Sequence, residues 1–155
     1  GRAGRGERPG KVILQTYTPE NFSIICAKNQ DFKSFYDKEI VFRKSLDYPP
    51  FSRMIQIVVS SKDQSHGIRQ IQALESRCHN ILASDPALKR TVIVMGPVEA
   101  PFSKIAAHYR WQMLLKGKAA NSLHALVNQL FFNNPAFLNT RHVKITIDVD
   151  PVSMM

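Results

Sequence analysis

Cysteine is scarce in this chain: two residues in 155. That excludes a disulfide framework. The five histidines, His66, His79, His108, His124 and His142, show no ligand spacing with one another or with Cys26 and Cys78. The usual zinc patterns are therefore excluded. No apolar run approaches the roughly 20 residues that span a bilayer, so a transmembrane helix and a membrane partner are not expected. The start carries no apolar signal stretch. Acidic residues are also few, with 12 Asp+Glu against 21 Lys+Arg and a formal charge of +9.

What is present is enough for a folded domain. Apolar residues make up 44% of the chain, which excludes wholesale disorder. The length suits one domain, or a small domain plus the end of a larger one. The basic excess suits a polyanionic partner, most often nucleic acid. Charge alone leaves a merely basic surface equally open. Both cysteines read as small core fillers in a reducing compartment. The chain opens on Gly1 in the middle of a charged, glycine-rich phrase, and it reads as an excerpt from a longer protein.

The pattern along the chain divides near Tyr48. Residues 1–10 (GRAGRGERPG) have loop or helix-end composition. Lys11–Tyr17 reads as a short strand. A short helix is expected next, with Thr18 as N-cap and Pro19 at its first position, then a second from about Asp31 to Leu46. Tyr48-Pro49-Pro50-Phe51 stops it, because proline pushes the preceding residue out of the α region. Beyond that boundary the spacing predicts strand Arg53–Ser61, helix Asp63–Ala83, strand Thr91–Met95 stopped by Gly96-Pro97, strand His108–Lys116, helix Asn121–Phe132 and strand Arg141–Asp150. The order β-α-β-β-α-β is the split, ferredoxin-like arrangement of the α+β class. It would place two helices on one face of a four-stranded antiparallel sheet and leave the other face open.

Strand alternation sorts the side chains. Tyr109, Trp111, Met113 and Leu115 fall on one side of their strand, with Val143, Ile145, Ile147 and Val149 on the core side of the last one. Trp111 is therefore expected in the core, not stacked on a base. The open face should carry Arg110, Gln112, Lys144 and Gln56, a surface suited to a phosphate backbone or an acidic peptide end. An ordinary solvated sheet face would look the same. Asp148 and Asp150, two apart and followed by Pro151, read as a strand end rather than a catalytic pair.

The phrase Gly1-Arg2-Ala3-Gly4-Arg5-Gly6 has its own chemistry. Two arginines three apart among small residues can aim two guanidinium forks at one target, and glycine lets phosphate approach the backbone. A triphosphate being split is such a target, and so is RNA for an arginine–glycine tail. In order after it come GRAGRGERPGKVILQTYTPE, FYDKEIVFRKSLDYPPFSR, GPVEAP, YRWQMLLK and ITIDVDP. Over essentially the whole chain this resembles the C-terminal end of the PriA family of primosomal replication-restart DNA helicases. GRAGR is similar to the second half of helicase motif VI.

The resemblance implies that residues 1–47 finish a second RecA-like helicase lobe. Residues 48–155 would form a ferredoxin-like C-terminal domain that docks DNA or partners. Arg2, Arg5 and Gly4 would face ATP and Mg2+, with Arg2 and Arg5 serving catalysis. Forked and single-stranded DNA, the acidic tail of single-stranded DNA-binding protein and other primosome proteins are the implied partners, and Arg110, Gln112 and Lys144 the implied contacts. The location implied is cytoplasmic. The phosphate loop, the magnesium carboxylates and the family's zinc cysteines have no counterpart in these residues. The chain alone is thus expected to be inactive, while the longer protein would be an ATP-dependent 3′–5′ helicase. The alternative from another class is a free-standing basic ferredoxin-like module that grips RNA or a ribosomal surface with an arginine–glycine arm.

Overall fold

A computed structural model describes residues 10–132 and 142–151. It falls into two compact units, one up to Phe42 and one from Arg43 onward.

The first unit is helical. Helix α1 spans Phe22–Asn29 and α2 spans Phe32–Ser45, so the division falls within α2. The N-cap of α1 is Asn21, not Thr18. The Asn21 side chain accepts a hydrogen bond from the Ser23 amide at 3.0 Å, and Thr18 instead closes a turn by accepting from the Asn21 amide at 3.1 Å. The strand expected over Lys11–Tyr17 does not form, and Val12, Ile13 and Leu14 are exposed. A strand needs a partner's hydrogen-bonding ladder, and among the described residues none lies alongside. Within the unit, the Phe22 ring lies 6.0 Å from those of Phe35 and Phe42, and Cys26 is buried.

The second unit is α+β, built on one four-stranded antiparallel sheet. Its strands are β1 (Arg53–Ser61), β2 (Val92–Ile105), β3 (His108–Gly117) and β4 (Val143–Val149), in the order β2-β3-β1-β4. Helices α3 (Gln64–Ser84) and α5 (Ala120–Phe131) pack on one face. Ile55, Ile57 and Val59 of β1 meet Ile71, Leu74 and Cys78 of α3 and Leu123, Leu126 and Leu130 of α5, all buried. Each such aliphatic side chain is worth about 1.5–3 kcal/mol once removed from water. Trp111 takes the predicted core side, 6% exposed and stacked on Tyr109 at 6.3 Å.

Two features depart from the expected pattern. A short helix α4 (Pro86–Thr91) follows α3 directly. Asp85 caps it, accepting from the amides of Ala87 at 2.9 Å and Leu88 at 3.1 Å, with Pro86 in the first turn. Strand β2 also does not stop at Gly96-Pro97. Its pairing with β3 shifts register between Met95 and Val98 and again between Glu99 and Lys104. Proline cannot donate to a ladder but is tolerated at a bulge, and here Gly96 with φ +92° supplies the irregular step. The β2–β3 connection is a two-residue hairpin in which Ala106 and Ala107 both have positive φ, 48° and 61°. Primed hairpin turns demand that conformation because its twist matches the strands.

Candidate functional site

Antiparallel pairing puts directly opposed residues on the same face. Ser60 of β1 stands opposite Arg110 of β3 on one side and Lys144 of β4 on the other. Two cations thus flank a small hydroxyl residue across three strands, about 10 Å apart by strand spacing. Arg110 is half-buried and Lys144 is exposed. Among the described residues Lys144 has no carboxylate within ion-pair distance.

Further along the same face the expectation of a solvated surface fails. Gln56 and Gln112 are buried, 6% and 9% exposed, and the Gln56 Nε2 donates to Gln112 Oε1 at 2.7 Å. Met54 on this face is buried as well. β1 and β3 are the two interior strands, so each glutamine has neighbours on both sides. The amides satisfy one another in place of water. Gln112 is therefore held inside the sheet, while Arg110 and Lys144 remain near solvent.

Lys116, at the far end of β3, is already engaged. Its Nζ donates to the Leu46 carbonyl at 3.2 Å and lies 5.6 Å from the Tyr48 ring centroid. Asp148 sits on the open face opposite Gln56. Asp150 lies beyond the strand with φ 50° and binds Arg53 Nη1 at 2.8 Å, while its amide donates to the Met54 carbonyl at 2.8 Å. The two carboxylates therefore serve different local tasks, as a strand end would have them. Burial pushes the Cys78 thiol up to about 12, in keeping with a core filler. Among the described residues no group of three or more His, Cys, Asp or Glu could hold a metal ion, and no helix is long and apolar enough to cross a membrane. Arg2, Gly4 and Arg5 lie outside the described residues.

Among the described residues the chemistry so far is that of a sheet face with two cations near solvent. The excess is spread evenly along the sequence: residues 51–155, about two thirds of it, hold 12 Lys+Arg and 6 Asp+Glu, a net of 12 minus 6, or +6 of the +9. Residues 44–152 match the family described as the primosomal protein N C-terminal domain. The chain belongs to that family. It is 34% identical over 155 residues to the replication restart protein PriA of Bacillus subtilis, covering 100% of this chain and 18% of that protein. The counterpart of Synechocystis is 34% identical over 154 residues, covering 99% of this chain and 17% of its own. That of Treponema pallidum is 32% identical over 157 residues, covering 100% and 22%. The chain thus spans about a fifth of the length of the curated relatives it matches. Among solved structures, the designed protein Foldit4 superposes with a TM-score of 0.46 at 8% identity, over 66% of this chain and 99% of its own.

Arg110 and Lys144 lie toward one end of the sheet of the second unit, and Arg53 and Lys116 toward the other. Sequence alternation found Arg110 and Lys144 on the open face. The same alternation puts His142, two residues before Lys144, on its side. It missed Lys62 and His66, which the fold gathers beside them. No sequence spacing marks those two, because their proximity to Lys144 depends on the pairing of β4 with β1.

Proposed function

We propose that this chain is the C-terminal part of an ATP-dependent 3′–5′ DNA helicase that restarts stalled replication forks and assembles the primosome in the cytoplasm. The observation that carries the reading is the match to the primosomal protein N C-terminal domain over residues 44–152. Relatives named replication restart protein PriA, aligned along the whole chain, support it. On this reading residues 1–47 complete the second RecA-like lobe. Arg2 and Arg5 stabilise the charge that builds on the γ-phosphoryl group of ATP–Mg2+ as it is split, and Gly4 lets the phosphates come close. The zinc of the family is held by residues of the longer protein beyond this chain.

Residues 48–155 then form a docking domain of the ferredoxin-like kind. The strand order β2-β3-β1-β4 with every neighbour antiparallel supports that class. Helices join β1 to β2 and β3 to β4, as in a split β-α-β pair. The partners proposed are forked and single-stranded DNA, the acidic tail of single-stranded DNA-binding protein and other primosome proteins. Arg110 and Lys144 are the surface contacts. Gln112, bonded to Gln56, fixes the sheet beneath them.

Two experiments test the reading. In the full-length parent protein, Arg2→Ala or Arg5→Ala is expected to lower ATP turnover by about a thousandfold with unchanged thermal unfolding. Undiminished turnover refutes the arginine assignment. For the docking domain, forked DNA, single-stranded DNA and an acidic tail peptide are titrated into the 155-residue chain at two salt concentrations. Saturable, salt-sensitive binding is expected, and binding to none of the three refutes docking.

A further inference from the structure

The end of the sheet that carries Lys144 also holds a cavity of about 580 Å³. The fold assembles it from four places in the sequence. Ser61 pairs with Tyr109 on one side and with Val143 on the other. The residues just past these pairs, Lys62, His108 and His142, therefore meet at one end of the sheet, on the face that carries Ser60, Arg110 and Lys144. Helix α3 starts two residues after Lys62 and places His66 beside them. The His66 and His142 rings stack at 5.7 Å with 22° between their planes.

Charge in this cavity is lopsided. Among the described residues, Lys62 and Lys144 line it with His66, His108 and His142, against a single carboxylate, Asp63. Among the described residues neither lysine has a carboxylate within ion-pair distance. Asp63 is already engaged: its Oδ1 accepts from the His66 amide at 2.8 Å and lies 3.4 Å from His66 Nδ1. His108 Nδ1 is 2.8 Å from the Ala106 carbonyl oxygen. The two lysines outweigh the one described carboxylate.

The lining also discriminates between anions. Among the described residues Val143 is the single apolar one in the lining, so a peptide end would find little to seat its apolar side chains. Lysine ammonium groups suit a phosphate as point donors. We propose that this cavity seats a backbone phosphate of a DNA strand that continues across the row Arg110–Ser60–Lys144. The inference rests on the docking reading above and gives that surface a second anchor.

The test uses the 155-residue chain with labelled single-stranded DNA, followed by anisotropy over a range of salt at fixed pH. The double change His66→Gln with His142→Gln is expected to weaken binding roughly tenfold, the worth of one charge-assisted contact. The change Lys62→Gln should lower the slope of log affinity against log salt by about 0.7, the share of one phosphate on a single strand. These side chains are exposed, so an unchanged unfolding midpoint will show that the fold survives. In parallel, inorganic phosphate should shift the ring-proton resonances of His66 and His142. A chain that binds no DNA at all refutes the docking reading, and this one with it. DNA binding that is intact in both variants overturns the cavity alone. Displacement of DNA from the histidine resonances by an acidic tail peptide overturns the assignment to phosphate.

Discussion

Gly67 of α3 lies directly against the indole of Trp111 on β3. A β-carbon at residue 67 would stand 2.0 Å from Trp111 Cζ3 and 2.7 Å from Cε3. The helix therefore rests on the sheet at the one place where it has no side chain, and the ring fills the space a methyl group would take. Helix propensity alone favours alanine over glycine there by about 1 kcal/mol. The overlap outweighs it, because a rigid ring and a helix backbone must separate. Gly67→Ala should destabilise the domain by about 1–3 kcal/mol. Urea unfolding followed by the fluorescence of Trp111, the single tryptophan, reads the shift directly. Adding Trp111→Phe, followed by far-UV circular dichroism because it removes that tryptophan, should recover part of the loss, and a double mutant that is merely additive would contradict the contact.

The β2–β3 hairpin turns on Ala106 and Ala107, both at positive φ. A β-carbon is strained in that conformation, whereas Asn-Gly adopts it readily. The double change Ala106→Asn with Ala107→Gly should raise stability by about 0.5–1 kcal/mol, a gain of several degrees in melting temperature. A lower melting temperature would show that the turn is set by something other than its φ values.

The Gln56–Gln112 bond predicts a separation between stability and binding. Gln112→Ala leaves the buried Gln56 amide without its partner and should cost about 1–3 kcal/mol. Replacing both glutamines with methionine should cost much less, since no orphaned amide remains. DNA affinity of the folded fraction should hardly change in either variant. A large loss of affinity with stability intact would make Gln112 a direct contact.

Asp63 links the cavity to acid stability. The His66 amide bond, with the nearby His66 and Arg69 charges adding to it, holds its carboxyl below the usual value of 3.8. A depressed folded value means the cap's stabilisation is present above the unfolded value and is lost as pH falls through the folded one. The His66 amide resonance should thus report fraying of the first turn of α3 below about pH 4. Asp63→Asn keeps a capping oxygen and should remove that acid transition. An identical transition in the variant would refute the cap as its source.

Much of the second unit was legible because alternation and helical spacing agree with its burial. Ile55, Ile57 and Val59 point one way along β1, and Ile71, Leu74 and Cys78 share the inner face of α3. The departures have separate physical reasons. Asp85-Pro86 is a cap-and-first-turn signal for α4 that can be read in the sequence. Gly96-Pro97 reads as a stop, because sequence does not show that β3 will accept a register shift. The apolar run Val12-Ile13-Leu14 has strand composition but no ladder partner among the described residues. Alternation placed Arg110 and Lys144 on the open face, and it could not tell that Gln56 and Gln112 would close on each other. The cavity beside Lys144 was invisible, since Lys62 and His66 join His142 and Lys144 only through the pairing of β1 with β4 and the start of α3.

The central claim is that this end of the sheet docks DNA. It is tested most directly by the salt dependence of forked-DNA affinity for the 155-residue chain and for its Arg110→Gln, Lys144→Gln double variant. The account predicts saturable binding whose log–log salt slope falls by about 1.4–1.8 in the variant, the share of two phosphate contacts, with an unchanged unfolding midpoint. Equal affinity and equal slope in the two proteins would contradict it.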